Sequence, residues 1–291
     1  MSNPPIPEHG FDALLPAEMA VKAEHVGEKK AQLDASTTFV LAVLAGAFIG
    51  LGANFATVAA AGTSEVWPYG ATRVLVGVAF SLGLILVVVG GAELFTGNAL
   101  IVMAWASGRV RTAALLRNWA IVYVGNFAGA VATAWMVYLS GQHRFGSFAV
   151  GRTALAIATA KVDLDFQEAL FLGVLCNLLV CLAVWLAYSG RTTADRILAI
   201  VPPISAFVAA GFEHSVANMY FVPLGLFLKH SALEELTAAS PSLAELTWST
   251  FVFRNLLPVT IGNIIGGAVF VGGVYYFVYL RRRPPGATPA S

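Results

Sequence analysis

A histidine, a threonine and two glutamates stand out because each lies deep in apolar sequence. The glutamates share a frame: Gly91-Ala-Glu93-Leu-Phe-Thr96-Gly-Asn98 and, 120 residues later, Gly211-Phe-Glu213-His214-Ser-Val-Ala-Asn218, both reading G-x-E-x4-N. A carboxylate at membrane depth is costly unless it is paired or lines a cavity, so it marks a candidate functional site. Imidazole changes charge near neutral pH, and at such a place His214 can offer a positive charge or a proton to a weak-acid anion. Its plain alternative is a buried ring satisfied by neighbours. The Thr96 hydroxyl either bonds a preceding carbonyl and bends its helix, bonds the imidazole, or meets a passing solute. A carboxylate facing an anion would repel it. Glu93 and Glu213 are therefore expected behind the pathway, accepting hydrogen bonds from freed backbone N–H groups and from Asn54 or Asn177. Asn98 and Asn218, in the same frames, are assigned to the same support. The glutamates' negative charge would favour the charged form of His214.

The elements that must position these groups are membrane helices. Only 11% of the 291 residues are charged, against about 25% in soluble domains. A spanning helix needs about 20 apolar residues. Six stretches qualify: Thr38 to Ala61, Val74 to about Ala106, Trp119 to Leu139, Ala169 to Tyr188, Ile197 to Leu228 and Phe251 to Leu280. The second and fifth contain the two frames, and the fifth also holds Pro202-Pro203. Backbone leaves helical geometry at this depth only where protein or a water-filled cavity satisfies it. Paired broken helices of this kind point to a transport site.

The repeat extends beyond the glutamates. Gly50-x3-Asn54 in span one is paired with Gly173-x3-Asn177 in span four. Asn118-x6-Gly125-Asn126-x2-Gly129 in span three is paired with Asn255-x6-Gly262-Asn263-x2-Gly266 in span six. Three spans per half put the second half in the membrane upside down, so the expected fold is an all-α, 3+3 inverted repeat broken at helices two and five. The small residues would let helices approach closely, within or between subunits. With the amino terminus inside, the inner segments hold eleven basic residues and the outer ones six, which places both termini in the cytoplasm under the positive-inside rule. The expected organisation is a cytoplasmic segment at 1–36, a channel domain at 37–281 and a cytoplasmic tail at 282–291.

Other classes fit poorly. A net charge of +1 gives no basis for a nucleic-acid partner. Cys176 and Cys181, five residues apart in one apolar run, read as packing residues. No metal-ligand cluster, nucleophile elbow or phosphate loop is present, so no enzyme, catalytic residue, metal or cofactor is expected. An aquaporin-type neutral-solute channel would carry Asn-Pro at both breaks, where this chain has Thr96-Gly-Asn98 and Val216-Ala-Asn218.

At the breaks the sequence resembles the formate/nitrite transporter family. The resemblance rests on Gly91-Ala-Glu-Leu-Phe-Thr96, Gly211-Phe-Glu-His-Ser-Val-Ala-Asn-Met219, Asn118-Trp119 with Gly125-Asn126, Leu175-Cys-Asn-Leu-Leu-Val-Cys181 and Tyr188-Ser-Gly-Arg191. It runs from about Phe11 to the end of span six. Gly10-Phe-Asp-Ala-Leu-Leu-Pro-Ala-Glu-Met19 is most similar to the formate channels of that family. The resemblance implies an aquaporin-like protomer, a homopentamer with one pore per subunit in the inner membrane, and passage of small monovalent anions. Formate is the first candidate, nitrite or hydrosulfide the alternative, with protons coupled through His214. It also places Lys161 and Asn177 in a vestibule that attracts anions, although Lys161 by itself reads as an ordinary loop lysine. Apolar constrictions fall at Phe80, Leu84, Leu94 and Phe207. The segment Phe11 to Ala31 is either an interfacial amphipathic helix or a soluble tail. By resemblance it covers the cytoplasmic mouth and responds to pH, with His25 as one titrating group.

Overall fold

The computed structural model describes residues 13–63, 66–231 and 243–282. Gly10 to Asp12 of the amino-terminal match and residues 283–291 of the tail lie outside them. Helices run in the order α1 Pro16–Gln32, α2 Ala35–Ala60, α3 Tyr69–Gly90, α4 Gly97–Ala106 and α5 Thr112–Leu139. They continue as α6 Ala149–Val162, α7 Phe166–Ser189, α8 Thr193–Ala210, α9 Ser215–His230 and α10 Trp248–Leu280. No strand occurs among the described residues. Six of these helices, α2, α3, α5, α7, α8 and α10, are long and apolar enough to cross a membrane. Large apolar side chains such as Leu51, Phe55, Val124, Met136 and Phe171 are exposed along them, as a lipid-facing surface requires.

The elements differ from expectation in two places, and at the amino terminus one of two alternatives holds. The third span begins at Thr112 and so takes Arg117 and Asn118 into the helix. The amino-terminal segment is a formed helix, α1, packed on α4. Lys161 lies in a helix, not in a loop: α6 buries Val150, Ala154, Leu155, Ala158 and Val162 along one face. Its 14 residues are too few to span, so a search for 20-residue apolar runs passes over it.

Small residues set the spacing between helices. A Cβ at Gly125 or Gly129 would collide with Ala42 or the Val43 carbonyl of α2, and one at Gly262 or Gly266 with the Leu170 or Val174 carbonyl of α7. These glycines therefore serve packing within one chain. Gly129→Leu is expected to force α5 off α2 and destabilise the fold by about 1–3 kcal/mol, read as a lowered melting midpoint in detergent. A wild-type midpoint would refute the close packing.

Candidate functional site

Both breaks are built alike. α3 ends at Gly91 with φ +76 and α8 at Gly211 with φ +79, the left-handed C-terminal conformation that glycine adopts without strain. The chain then turns so that Ala92 N bonds Val87 O and Phe212 N bonds Phe207 O, each at 3.0 Å. Next, Glu93 N donates to Leu41 O and Glu213 N to Leu172 O, each at 3.2 Å. The freed backbone of each break is thus held by the first long helix of its own half.

The carboxylates are buried and clamped. Glu93 takes Lys30 Nζ at 2.8 Å and Asn98 Nδ2 at 2.7 Å. Glu213 takes Lys161 Nζ at 2.5 Å and Asn218 Nδ2 at 2.7 Å. Asn98 Nδ2 reaches Asn118 Oδ1 at 2.9 Å, and Asn218 Nδ2 reaches Asn255 Oδ1 at 2.7 Å. Asn118 and Asn255 in turn hold the backbone carbonyls of Lys30 and Lys161. Below the glutamates, Asn126 Nδ2 holds Ala42 O and Glu93 O while its Oδ1 takes Phe95 N. Asn263 does the same with Gly173 O, Glu213 O and Ser215 N. Two matching networks thus close one buried ion pair each.

The networks differ at the lysines and at Asn255, whose Nδ2 also reaches Glu213 Oε2 at 3.2 Å. Lys30 Nζ also donates to Asn98 Oδ1 at 3.0 Å, bridging two oxygens. Lys161 meets the carboxylate and lies 6.0 Å from the centroid of the Phe221 ring, and Asn218 Oδ1 has no partner. Lys30 meets two side-chain oxygens, Lys161 one.

At the second break, His214 is the N-cap of α9. Its Nδ1 accepts from Ala217 N at 3.0 Å, and its Nε2 lies 3.0 Å from Thr96 Oγ1. A nitrogen that accepts a backbone N–H carries no proton, so the ring proton sits on Nε2 and is donated to Thr96. The Thr96 carbonyl is fixed from α7 by Asn177 Nδ2 at 3.2 Å and Cys181 Sγ at 3.3 Å. Thr96 and His214 are not repeat mates: in the shared frame His214 matches Leu94, and Thr96 matches Val216. The Thr96–His214 contact thus sits where the two halves differ.

Apolar rings adjoin this pair. Phe207 lies nearly parallel to the His214 ring, centroids 6.0 Å apart, and Phe80 meets Phe207 edge to face at 5.6 Å. Leu84 and Leu94 are buried in the same core as these two phenylalanines. α3 and α8 run antiparallel here, with Arg73 donating to the Val208 and Ala209 carbonyls at the end of α8.

Four expectations need correction. Asn54 and Asn177 do not reach the glutamates. Asn54 Oδ1 accepts from Tyr220 OH at 3.1 Å, and Asn177 bonds Thr96 O and Asn263 O. The network also pairs Ala42 with Gly173, a different register from the one that matched Gly50-x3-Asn54 with Gly173-x3-Asn177. Short Gly/Asn spacings recur by chance in apolar helices, and the true mate of Gly173 is an alanine. The glutamate charges do not bias His214 toward its charged form, because each is taken up by a lysine and Nδ1 is committed to the cap. Lys161 is half-hidden against Glu213, its side chain 19% exposed.

Sequence reasoning missed Lys30 as a partner of Glu93. A signal was present: Lys30-x3-Asp34 and Lys161-x3-Asp165 each precede a long apolar helix. Asp34 and Asp165 cap those helices, accepting from Thr37 N and Glu168 N.

Comparison with known proteins identifies the family. The family model described as formate/nitrite transporter matches residues 17–277. The formate channel FocA of Escherichia coli (strain K12) is 46% identical, covering 94% of this chain and 97% of that one. The formate channel BtFdhC of Bacillus thuringiensis is 36% identical, over 91% of this chain and 95% of its own. A solved "pentameric formate channel with formate bound" superposes with a TM-score of 0.79 at 43% identity, covering 85% of this chain and 98% of that one. Six apolar helices, two clamped breaks and a match along nearly the whole length lead to one assignment: the chain is a multi-pass membrane protein of the formate/nitrite transporter family.

Proposed function

We propose that the protein is a formate channel in which the Thr96–His214 pair handles the anion and its proton. The observation that carries this reading is the 3.0 Å contact between Nε2 and the Thr96 hydroxyl, buried at a chain break and flanked by apolar rings. Formate is drawn in by positive potential at the vestibule, where Lys161 sits; focusing of this kind raises association rates. The Phe80, Leu84, Leu94 and Phe207 side chains oppose the hydrated ion, which a dewetted constriction rejects far more strongly than a neutral acid. Formate therefore crosses best after taking a proton: a proton from water displaces the Ala217 N–H from Nδ1, the imidazolium so formed gives its Nε2 proton to formate beside the Thr96 hydroxyl, and the ring returns to its neutral form. The matched networks support an inverted repeat, and the basic residues favour termini in the cytoplasm and an inner-membrane location. By analogy with the solved relative, five copies assemble, each with its own pore. Nothing in this pathway requires bond-making beyond proton transfer, so the protein acts as a channel and not an enzyme.

Flux into proteoliposomes tests the assignment. Formate, nitrite and hydrosulfide are compared at pH 5 and pH 7.5. Faster formate flux, rising at the lower pH, is the expected result. Equal flux of all three would make it a broad weak-acid channel, and no flux of any would favour a neutral solute.

A further inference from the structure

The connection between α5 and α6 holds two features that transport does not use. Gly146, Ser147 and Phe148 take φ values of +58, +52 and +67 in succession, a left-handed run in which serine and phenylalanine are rarely found. Just before it, a 3-10 turn at Gln142–Arg144 buries the His143 side chain to 7% exposure. Neither ring nitrogen of His143 has a protein partner, and neither does Gln142 Oε1. The imidazole lies nearly parallel to Tyr138, centroids 5.8 Å apart at 19°. Burial, reinforced by neighbouring Arg144, holds its pKa below the ordinary histidine value, so the ring is neutral with one donor and one acceptor.

His143 and Gln142 line one small cavity. Asn54 and Thr57 of α2 form another part of its wall, with Gly151 of α6 and Leu224 of α9. Thr57 Oγ1 donates to Ala53 O and so is open only as an acceptor, and Asn54 Oδ1 already takes the Tyr220 hydroxyl. The site thus presents acceptors at Gln142 and Thr57, and both a donor and an acceptor on His143. Buried polar groups are satisfied by protein or by ordered water, and a molecule that both donates and accepts in so small a space is water. We propose that this cavity is a buried water site, in which ordered water bridges the His143 ring to Gln142 Oε1 and to Thr57 Oγ1 and so ties the turn at Gln142–Arg144 to α2. The bridge would fix the start of α6, the helix whose last turn carries Lys161.

The sign of one substitution tests this. His143→Phe keeps the ring against Tyr138 and nearly the same volume but removes both nitrogens. If water is bound, the variant strips it of its anchor, leaves Gln142 Oε1 short of a partner, and lowers the melting midpoint in detergent by about 2–4 °C. If the cavity is dry, the same change relieves two unpaired buried nitrogens, and the midpoint stays level or rises; either result overturns the proposal. A cryo-EM map of the wild-type protein in lipid nanodiscs, at a resolution that shows other buried waters, decides independently of the variant's folding. A density peak in hydrogen-bond reach of both His143 and Gln142 is expected. An empty cavity beside well-resolved waters elsewhere would sink the idea.

Discussion

His214→Phe is expected to reduce formate flux at pH 5 by about a hundredfold, the low end of what a positioned acid–base group contributes. The substitution does three things at once. It removes the Nε2–H that meets Thr96, it deletes the Nδ1 cap of α9, and it leaves an apolar ring that can still stack on Phe207. Loss of the cap alone costs about 1 kcal/mol of helix stability, which would lower the melting midpoint without explaining lost flux. His214→Asn separates the effects, because its side-chain oxygen still accepts the N–H of Ala217 while no titratable group remains. If the imidazole moves a proton, both variants lose flux and only the phenylalanine variant loses stability. Full flux in His214→Asn across pH 5 to 7.5 would reduce His214 to a cap.

The second large effect concerns the outer-sequence clamp. Lys161→Met leaves the Glu213 carboxylate, 4% exposed, buried without its counter-charge. Removing one partner of a buried ion pair costs about 3–5 kcal/mol, and unfolding followed by tryptophan fluorescence should show it. The Lys161→Met/Glu213→Gln double variant should recover most of that stability, because the glutamine carbonyl still accepts from Asn218 and Asn255 without carrying charge. Flux tells a second story. If Lys161 also steers formate, access at low formate concentration falls roughly tenfold and does not return in the double variant. Flux that recovers together with stability would mean that Lys161 only pairs with Glu213.

The sequence by itself determined a good deal about this protein. The six apolar runs, the two G-x-E-x4-N breaks and the choice of His214 and Thr96 all follow from local composition. A glycine that must take positive φ, a carboxylate in an apolar run and a span too long for one helix are each visible within a dozen residues. The repeat was legible where both halves kept the same residue types, as in Asn118 to Gly129 and Asn255 to Gly266. It was misread where they diverged, since the mate of Gly173 is Ala42.

Tertiary structure decided what depends on residues far apart in the chain. Lys30 and Glu93 are 63 positions apart and Thr96 and His214 are 118, so no periodicity could pair them. The helix α6 escaped notice because its 14 residues are too few to span, and its apolar face is short. Asn177 likewise looked like a vestibule residue until its amide was seen holding Thr96 O. Sequence shows which side chains are expensive to bury; only packing shows which partner offsets the cost.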